Sequence, residues 1–150
     1  MNCAVSAQVR LIVPFHDVDI MRVVWHGHYL KYFDQARQAL FVRQGLNLFD
    51  GKEPKGWVFP VIRSEVKHIH PLQLGDEFLC TATLREARVM IVLDFEILRI
   101  RDGKVCARGR SEQAAVRLPE MEMAFSIPEE VRNTLCTQNA EGTALGSGGH

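Results

Sequence analysis

The sequence predicts a single α+β domain in which one strand and one long helix precede four consecutive strands of an antiparallel sheet. Three observations carry that expectation. Across residues 28–44 the apolar side chains recur at helical spacing. From residue 57 to residue 118 the period shortens to about two and stays there. Within that stretch, Arg101-Asp102-Gly103-Lys104 is a hairpin signal, because Asp-Gly suits a tight primed turn.

Taken in order, residues 5–15 alternate apolar and polar positions as a half-buried strand does, and Pro14 marks their end. A polar stretch with histidines and aspartates follows, at 16–28. In the helix, Tyr29, Phe33, Ala36 and Leu40 form one stripe, widened by Leu30, Tyr32 and Phe41. Lys31, Asp34, Gln38 and Arg43 can occupy the outer face, and Gly45 is placed to cap the end. Residues 47–56 read as loop. Residues 57–69 are expected as one strand, stopped by His70-Pro71. A turn at Leu74-Gly75-Asp76 leads into a strand at 77–86. The next, at 89–100, sets Val89, Ile91, Leu93, Phe95 and Ile97 on one face. The last, at 104–118, has small residues at Val105, Ala107 and Gly109 on one side. Residues 128–135 suit a short terminal helix. The Gly- and Ser-rich residues 141–150 are expected to be a disordered tail, which places the domain at 1–140.

At 150 residues the chain is long enough to bury about two-thirds of its unfolded surface without disulfides or metals. Lys plus Arg and Asp plus Glu each total 18, a zero formal charge that argues against nucleic-acid binding. It leaves room for a local basic patch facing a small anion. Cys3, Cys80, Cys106 and Cys136 form no CxxC pair and no zinc-type spacing, and Cys80 and Cys106 read as small core residues. Residues 1–6 have no basic start, and Arg10 interrupts the apolar stretch behind them. No run of about 18 apolar residues is present to span a membrane. Reduced thiols and a cytoplasmic location are the simpler expectation.

Residues 14–39 concentrate the reactive side chains. Asp17 and Asp19 precede a helix, whose first N–H groups lack partners and form the positive end of its dipole. Thioester hydrolysis needs a carboxylate that attacks the carbonyl carbon or activates water to do so. It also needs donors aimed at the carbonyl oxygen as that atom becomes negative. A loop carboxylate beside a helix start supplies both kinds of group. On these facts alone, capping and solvation is the plainer role for two loop aspartates. Six histidines (16, 26, 28, 68, 70 and 150) invite a metal reading. Yet the spacing of His26 with His28, and of His68 with His70, turns each pair's side chains apart. Arg85, Arg88, Arg108 and Arg110 lie near strand ends or along one strand face, where a solvated surface is a plainer role than phosphate binding.

Asp17-Val18-Asp19, Val23-Val24, Trp25-His26, Tyr29, Tyr32-Phe33 and Ala36-Arg37 follow one another in order and at fixed spacing. This pattern resembles the signature of the 4-hydroxybenzoyl-CoA thioesterase family of hot-dog enzymes. The resemblance covers about residues 5–118. It implies a hot-dog fold, a five-stranded antiparallel sheet wrapped around one long central helix, and hydrolysis of an acyl-CoA thioester. It makes Asp19 the nucleophile or general base and the main-chain N–H of His26 the oxyanion donor, with no metal and no cofactor. It further implies a homodimer or homotetramer, in which Arg63 and Ser64 of a second copy help to bind the substrate. Trp25 reads as a pocket wall. Many members of that family carry a glycine where this chain has Arg22, and a glycine there would ease a turn with positive φ. Arg22 therefore either takes an ordinary conformation or lines the acyl entrance. Two alternatives stay open: a thioesterase acting on groups held by an acyl carrier protein, in a fatty-acid-like or polyene pathway, and a non-catalytic acyl-binding module. A dehydratase fits less well, for want of a paired Asp and His motif in the central helix.

Overall fold

A computed structural model describes residues 5–47 and 55–137. Cys3, His150, the expected tail and most of the loop at 47–56 lie outside the described residues. The main sheet contains five antiparallel strands: β1 (Ser6–Ile12), β3 (Val61–His68), β4 (Glu77–Glu86), β5 (Ile91–Arg99) and β6 (Val105–Gln113). Their spatial order is β1-β4-β5-β6-β3, so β1 and β3 are the edges. The helix α1 (Tyr29–Arg43) lies on one face of this sheet, packed against β1, β4 and β5. A second, three-stranded sheet joins β2 (Trp57–Val58), β7 (Val116–Arg117) and β8 (Glu122–Met123). The short helix α2 (Glu129–Cys136) buries Val131 and Leu135.

Period and packing agree through most of the chain. β5 alternates strictly, burying Ile91, Leu93, Phe95 and Ile97 beneath the helix, while Val89 falls outside the strand and is exposed. On α1, Ala36, Leu40 and Phe41 are fully buried, and a side chain as large as Phe41 contributes about 1.5–3 kcal/mol by leaving water. Phe33 stacks on Phe95 with ring centroids 4.6 Å apart, and Tyr32 tilts against Phe78 at 4.9 Å. The small residues of β6 allow the helix to come this close. A methyl group added at Gly109 would sit 2.3 Å from the Phe33 ring. Gly45, in the left-handed conformation, ends α1 as expected, with Leu46 N–H donating to Phe41 O (2.9 Å). Leu30 departs from the predicted stripe: it sits 42% exposed in the first turn.

Three further expectations are corrected. The strand predicted at 57–69 divides into β2 and β3, because Pro60 has no N–H to give to a ladder. The strand predicted at 104–118 divides in step with it, at Ala114-Ala115, where Ala114 N–H donates to Pro60 O (3.1 Å). The Asp-Gly hairpin is present, but only Gly103 takes a positive φ (68°), whereas a primed two-residue turn of that type needs two such residues. The loop instead closes between Arg99 and Lys104, with the Asp102 carboxylate accepting from both: the Arg99 guanidinium and the Lys104 N–H. Among the described residues, no helix is long and apolar enough to cross a membrane.

Candidate active site

Between β1 and α1 the chain makes a small hairpin. Val18 bridges Val24 across it, Asp19 N–H donates to Val23 O (2.9 Å) and Arg22 N–H donates to Asp19 O (2.9 Å). This is a turn followed by one left-handed residue, a usual three-residue hairpin loop. The left-handed residue is Arg22, at φ 62°, so the expectation of an ordinary conformation for it is overturned. An arginine stands in the backbone conformation that glycine adopts at least cost. The Asp19 carboxylate lies at the exposed tip, where Oδ1 accepts the Met21 N–H at 2.8 Å. Ile20 and Met21 beside it are 97% and 75% exposed, so the tip is an apolar surface carrying one acid.

Asp17 has the opposite environment. It is buried, Oδ2 accepts the Tyr32 hydroxyl at 2.6 Å, and Oδ1 accepts Lys31 Nζ at 2.5 Å. His28 Nδ1 lies 3.9 Å away and His16 Nε2 3.6 Å away. Burial pushes the Asp17 carboxyl upward, but the Lys31 and Tyr32 hydrogen bonds outweigh it and hold the group below the usual carboxylate range. Burial and the neighbouring Asp17 together raise the Tyr32 hydroxyl. Asp17 therefore anchors the hairpin to the first turns of α1. The sequence reading missed Lys31 and Tyr32 in this role. Their signal is positional: His28, Lys31 and Tyr32 follow one another at i, i+3 and i+4, the face a buried acid ahead of the helix would need.

A single 3₁₀ turn, His26–His28, opens the helix. His26 and Gly27 begin it, so no carbonyl within the turn accepts from their N–H groups. Trp25 folds back over this turn, 4.8 Å from the His26 ring and 5.5 Å from the His28 ring, and is 50% exposed. Gly27 makes that possible, since a Cβ there would lie 2.0 Å from the indole. His68, at the end of edge strand β3, meets the Tyr29 ring at 4.7 Å and the His26 ring at 6.5 Å. From the other side the 72–74 segment holds the hairpin: Val24 N–H donates to Leu72 O (2.8 Å), Leu74 N–H donates to Arg22 O (3.1 Å), and Val23 bridges Gln73.

Arg63 and Ser64 stand apart from this cluster, exposed on β3, with Arg63 paired to Glu65 (2.8 Å) and Glu112 (3.9 Å). A groove of about 620 Å³ crosses the sheet face away from α1, lined by Lys67, Thr81, Asp94, Glu96, Arg108 and Arg110. A second, of about 390 Å³, runs beside α1 past Lys31, Asp34, Gln38, Phe59 and Gln113. Neither groove is lined by Asp19, Arg22, Trp25, His26, Arg63 or Ser64. Arg85, Arg108 and Arg110 are paired to Asp94 or Glu96, as a solvated sheet face predicts. Among the described residues, no group of three or more His, Cys, Asp or Glu side chains could hold a metal ion.

The fold has known counterparts. Residues 13–135 match the model of the thioesterase-like superfamily. An acyl-CoA thioesterase from Helicobacter pylori, YbgC, is 31% identical over 98 residues, which cover 65% of this chain and 71% of that protein. Among solved structures, a 1,4-dihydroxy-2-naphthoyl-CoA thioesterase from Synechocystis superposes with a TM-score of 0.78 at 20% identity, covering 87% of this chain and 96% of that one. A variant of 4-hydroxybenzoyl CoA thioesterase in complex with 4-hydroxybenzoyl CoA gives 0.77 at 18% identity, covering 89% and 100%. These superpositions establish the hot-dog fold. The chain belongs to the thioesterase-like superfamily, which makes it a hydrolase.

Proposed function

We propose that the protein hydrolyses acyl-CoA thioesters, with the Asp19 carboxylate as nucleophile or general base and the His26 N–H as oxyanion donor. One observation carries the reading. An exposed carboxylate and a turn whose first amides have no partner among the described residues lie on the same short segment, fixed to each other by the hairpin and by Leu72. As general base, Asp19 takes a proton from water while the water oxygen bonds to the thioester carbon. The C–S bond then breaks, and the thiolate leaves to be protonated. As nucleophile, the carboxylate itself forms that bond, and water hydrolyses the resulting anhydride. In both courses the carbonyl oxygen becomes negative and the His26 N–H meets it.

The site is completed by a second copy of the chain. Supporting this, β3 is an edge strand exposed along nearly its whole length, and the hairpin tip leaves Ile20 and Met21 uncovered. An antiparallel copy of β3 centred on Ser64 sets Arg63 of each chain opposite Glu65 of the other, a favourable cross-strand pairing. In that assembly Arg63 and Ser64 approach the thioester, Trp25 walls the pocket, and Arg22 lies at its mouth. An acyl carrier protein as donor of the acyl group is the second reading; the exposed Arg22, His68 and His70 around the segment favour it, because carrier proteins are acidic.

The test is thiol release from a panel of acyl-CoAs by wild type and Asp19→Asn. Loss of at least a hundredfold in kcat is expected, the scale of removing a group that acts in the transition state. Undiminished hydrolysis by the variant overturns the role of Asp19. Turnover of carrier-bound acyl groups alone selects the second reading.

A further inference from the structure

We infer that Arg99, with Asp102, is a positioning residue for the His26 N–H, acting from the β5–β6 hairpin through the backbone of Pro71 and Leu72; this rests on the proposed role of His26. Leu72 is fully buried and grips both ends of the turn that contains His26. Its carbonyl accepts from Val24 N–H (2.8 Å), two residues before His26, and its own N–H reaches the Tyr29 hydroxyl (3.4 Å), three residues after it. The place of the His26 amide is thus referred to Leu72 rather than to α1 alone.

Leu72 is itself held from behind. Arg99 Nη1 donates to Pro71 O at 2.7 Å, while its Nε and Nη2 fork onto the two Asp102 oxygens at 3.0 and 2.6 Å. Arg99 is 6% exposed. Its planar fork therefore fixes the third donor in direction, which a lysine would not do. A second clamp secures the far side of the same segment. Arg101 Nε donates to Asp76 Oδ1 (2.9 Å), Asp76 Oδ2 accepts from Gln73 N–H (2.9 Å), and Arg101 Nη2 donates to Gln73 Oε1 (3.3 Å). Two arginines of the β5–β6 hairpin, Arg99 at the end of β5 and Arg101 in its loop, thus hold residues 71–76, and residues 72–74 hold the catalytic hairpin. Neither arginine touches a residue assigned to chemistry.

A displacement of about 1 Å of a group acting on the transition state can lower a rate on the order of a hundredfold. Arg99→Gln, which loses the fork, is expected to lower kcat about ten- to a hundredfold while KM moves less than about twofold. Arg99→Lys is expected to fall between it and wild type. The structural alternative is separated by two further measurements. Val131→Ala, in α2 and remote from the segment, serves as a control for lost stability and is expected to keep kcat. In a Trp57→Phe background the emission of Trp25 reports the His26 turn directly. Arg99→Gln should shift it to the red as the indole leaves His26, and Val131→Ala should not. If Arg99→Gln does not fold, Asp102→Asn, which weakens the fork and retains the Pro71 bond, is read by the same two signals with smaller shifts. Unchanged kcat and unchanged Trp25 emission in a folded Arg99 variant overturn the inference, as does an equal fall in kcat for Val131→Ala. Should Asp19→Asn hydrolyse normally, the catalytic reading fails on its own, and the emission still decides whether Arg99 sets the turn.

Discussion

Replacing Tyr32 with phenylalanine removes one hydroxyl and leaves the ring against Phe78 in place. That hydroxyl is the buried donor to Asp17 Oδ2, and without it the carboxylate keeps Lys31 as its close partner. Hydrogen bonds to ionised groups contribute about 1.5–3 kcal/mol. Lys31 is 44% exposed at its side chain and water screens what it can add, so a loss of about 2 kcal/mol is expected at pH 7. For a chain of this size that lowers the unfolding midpoint by roughly 4–8 °C. The pH dependence has a definite sign. Asp17 titrates in the folded protein below its ordinary value of 3.8, so its ionised form stabilises the fold above that value. The contribution disappears as pH falls through the lower, folded value. In Tyr32→Phe one of the groups holding the carboxyl down is gone, so acid unfolding begins at a higher pH than in wild type. Thermal and urea unfolding followed by circular dichroism between pH 3 and pH 7 measure both effects. The difference between the two proteins should be largest at pH 7 and shrink toward pH 3. A difference under about 0.5 kcal/mol at pH 7, or one that does not change with pH, would refute the anchoring role of Asp17.

Two other substitutions test the backbone readings. Arg22→Gly places the residue suited to φ 62° at the hairpin and should raise stability by about 0.5–1 kcal/mol in a urea melt. Gly109→Ala would set a methyl 2.3 Å from Phe33 and 2.7 Å from Glu65 O, so a loss of about 1–3 kcal/mol and faster amide exchange along β3 are expected.

The helix and the order of strands were legible because burial leaves a period in side-chain polarity, and α1 and β5 carry that period almost without fault. Pro60 was visible too, but alternation continues on both sides of it and hid the change of sheet. The candidate site divides differently. Asp19 and His26 stood out through a many-position resemblance, since no local pattern separates a reactive loop aspartate from a capping one. Leu72 left no trace, because it acts through its N–H and C=O, which every residue but proline possesses. The left-handed Arg22 was illegible for a related reason: the side chain does not announce the φ that its neighbours impose. Lys31 and Tyr32 were placed on a helix correctly, but their acceptor lies outside that helix, so periodicity assigned one to solvent and the other to the core.

The break shared by Pro60 and Ala114 has a consequence for how the chain assembles. β2 precedes β3 by two residues and β7 follows β6 by two, so the small sheet continues the β3–β6 pairing beyond one common interruption. Bringing β3 to β6 closes a long loop, and the entropy of closure grows only slowly with length. Once that contact exists, Trp57 and Arg117 are already neighbours, and the second sheet forms with almost no further search. Two sheets that look separate in the finished molecule thus form one cooperative unit, and the edge strand beside the candidate site is secured at its Val61 end.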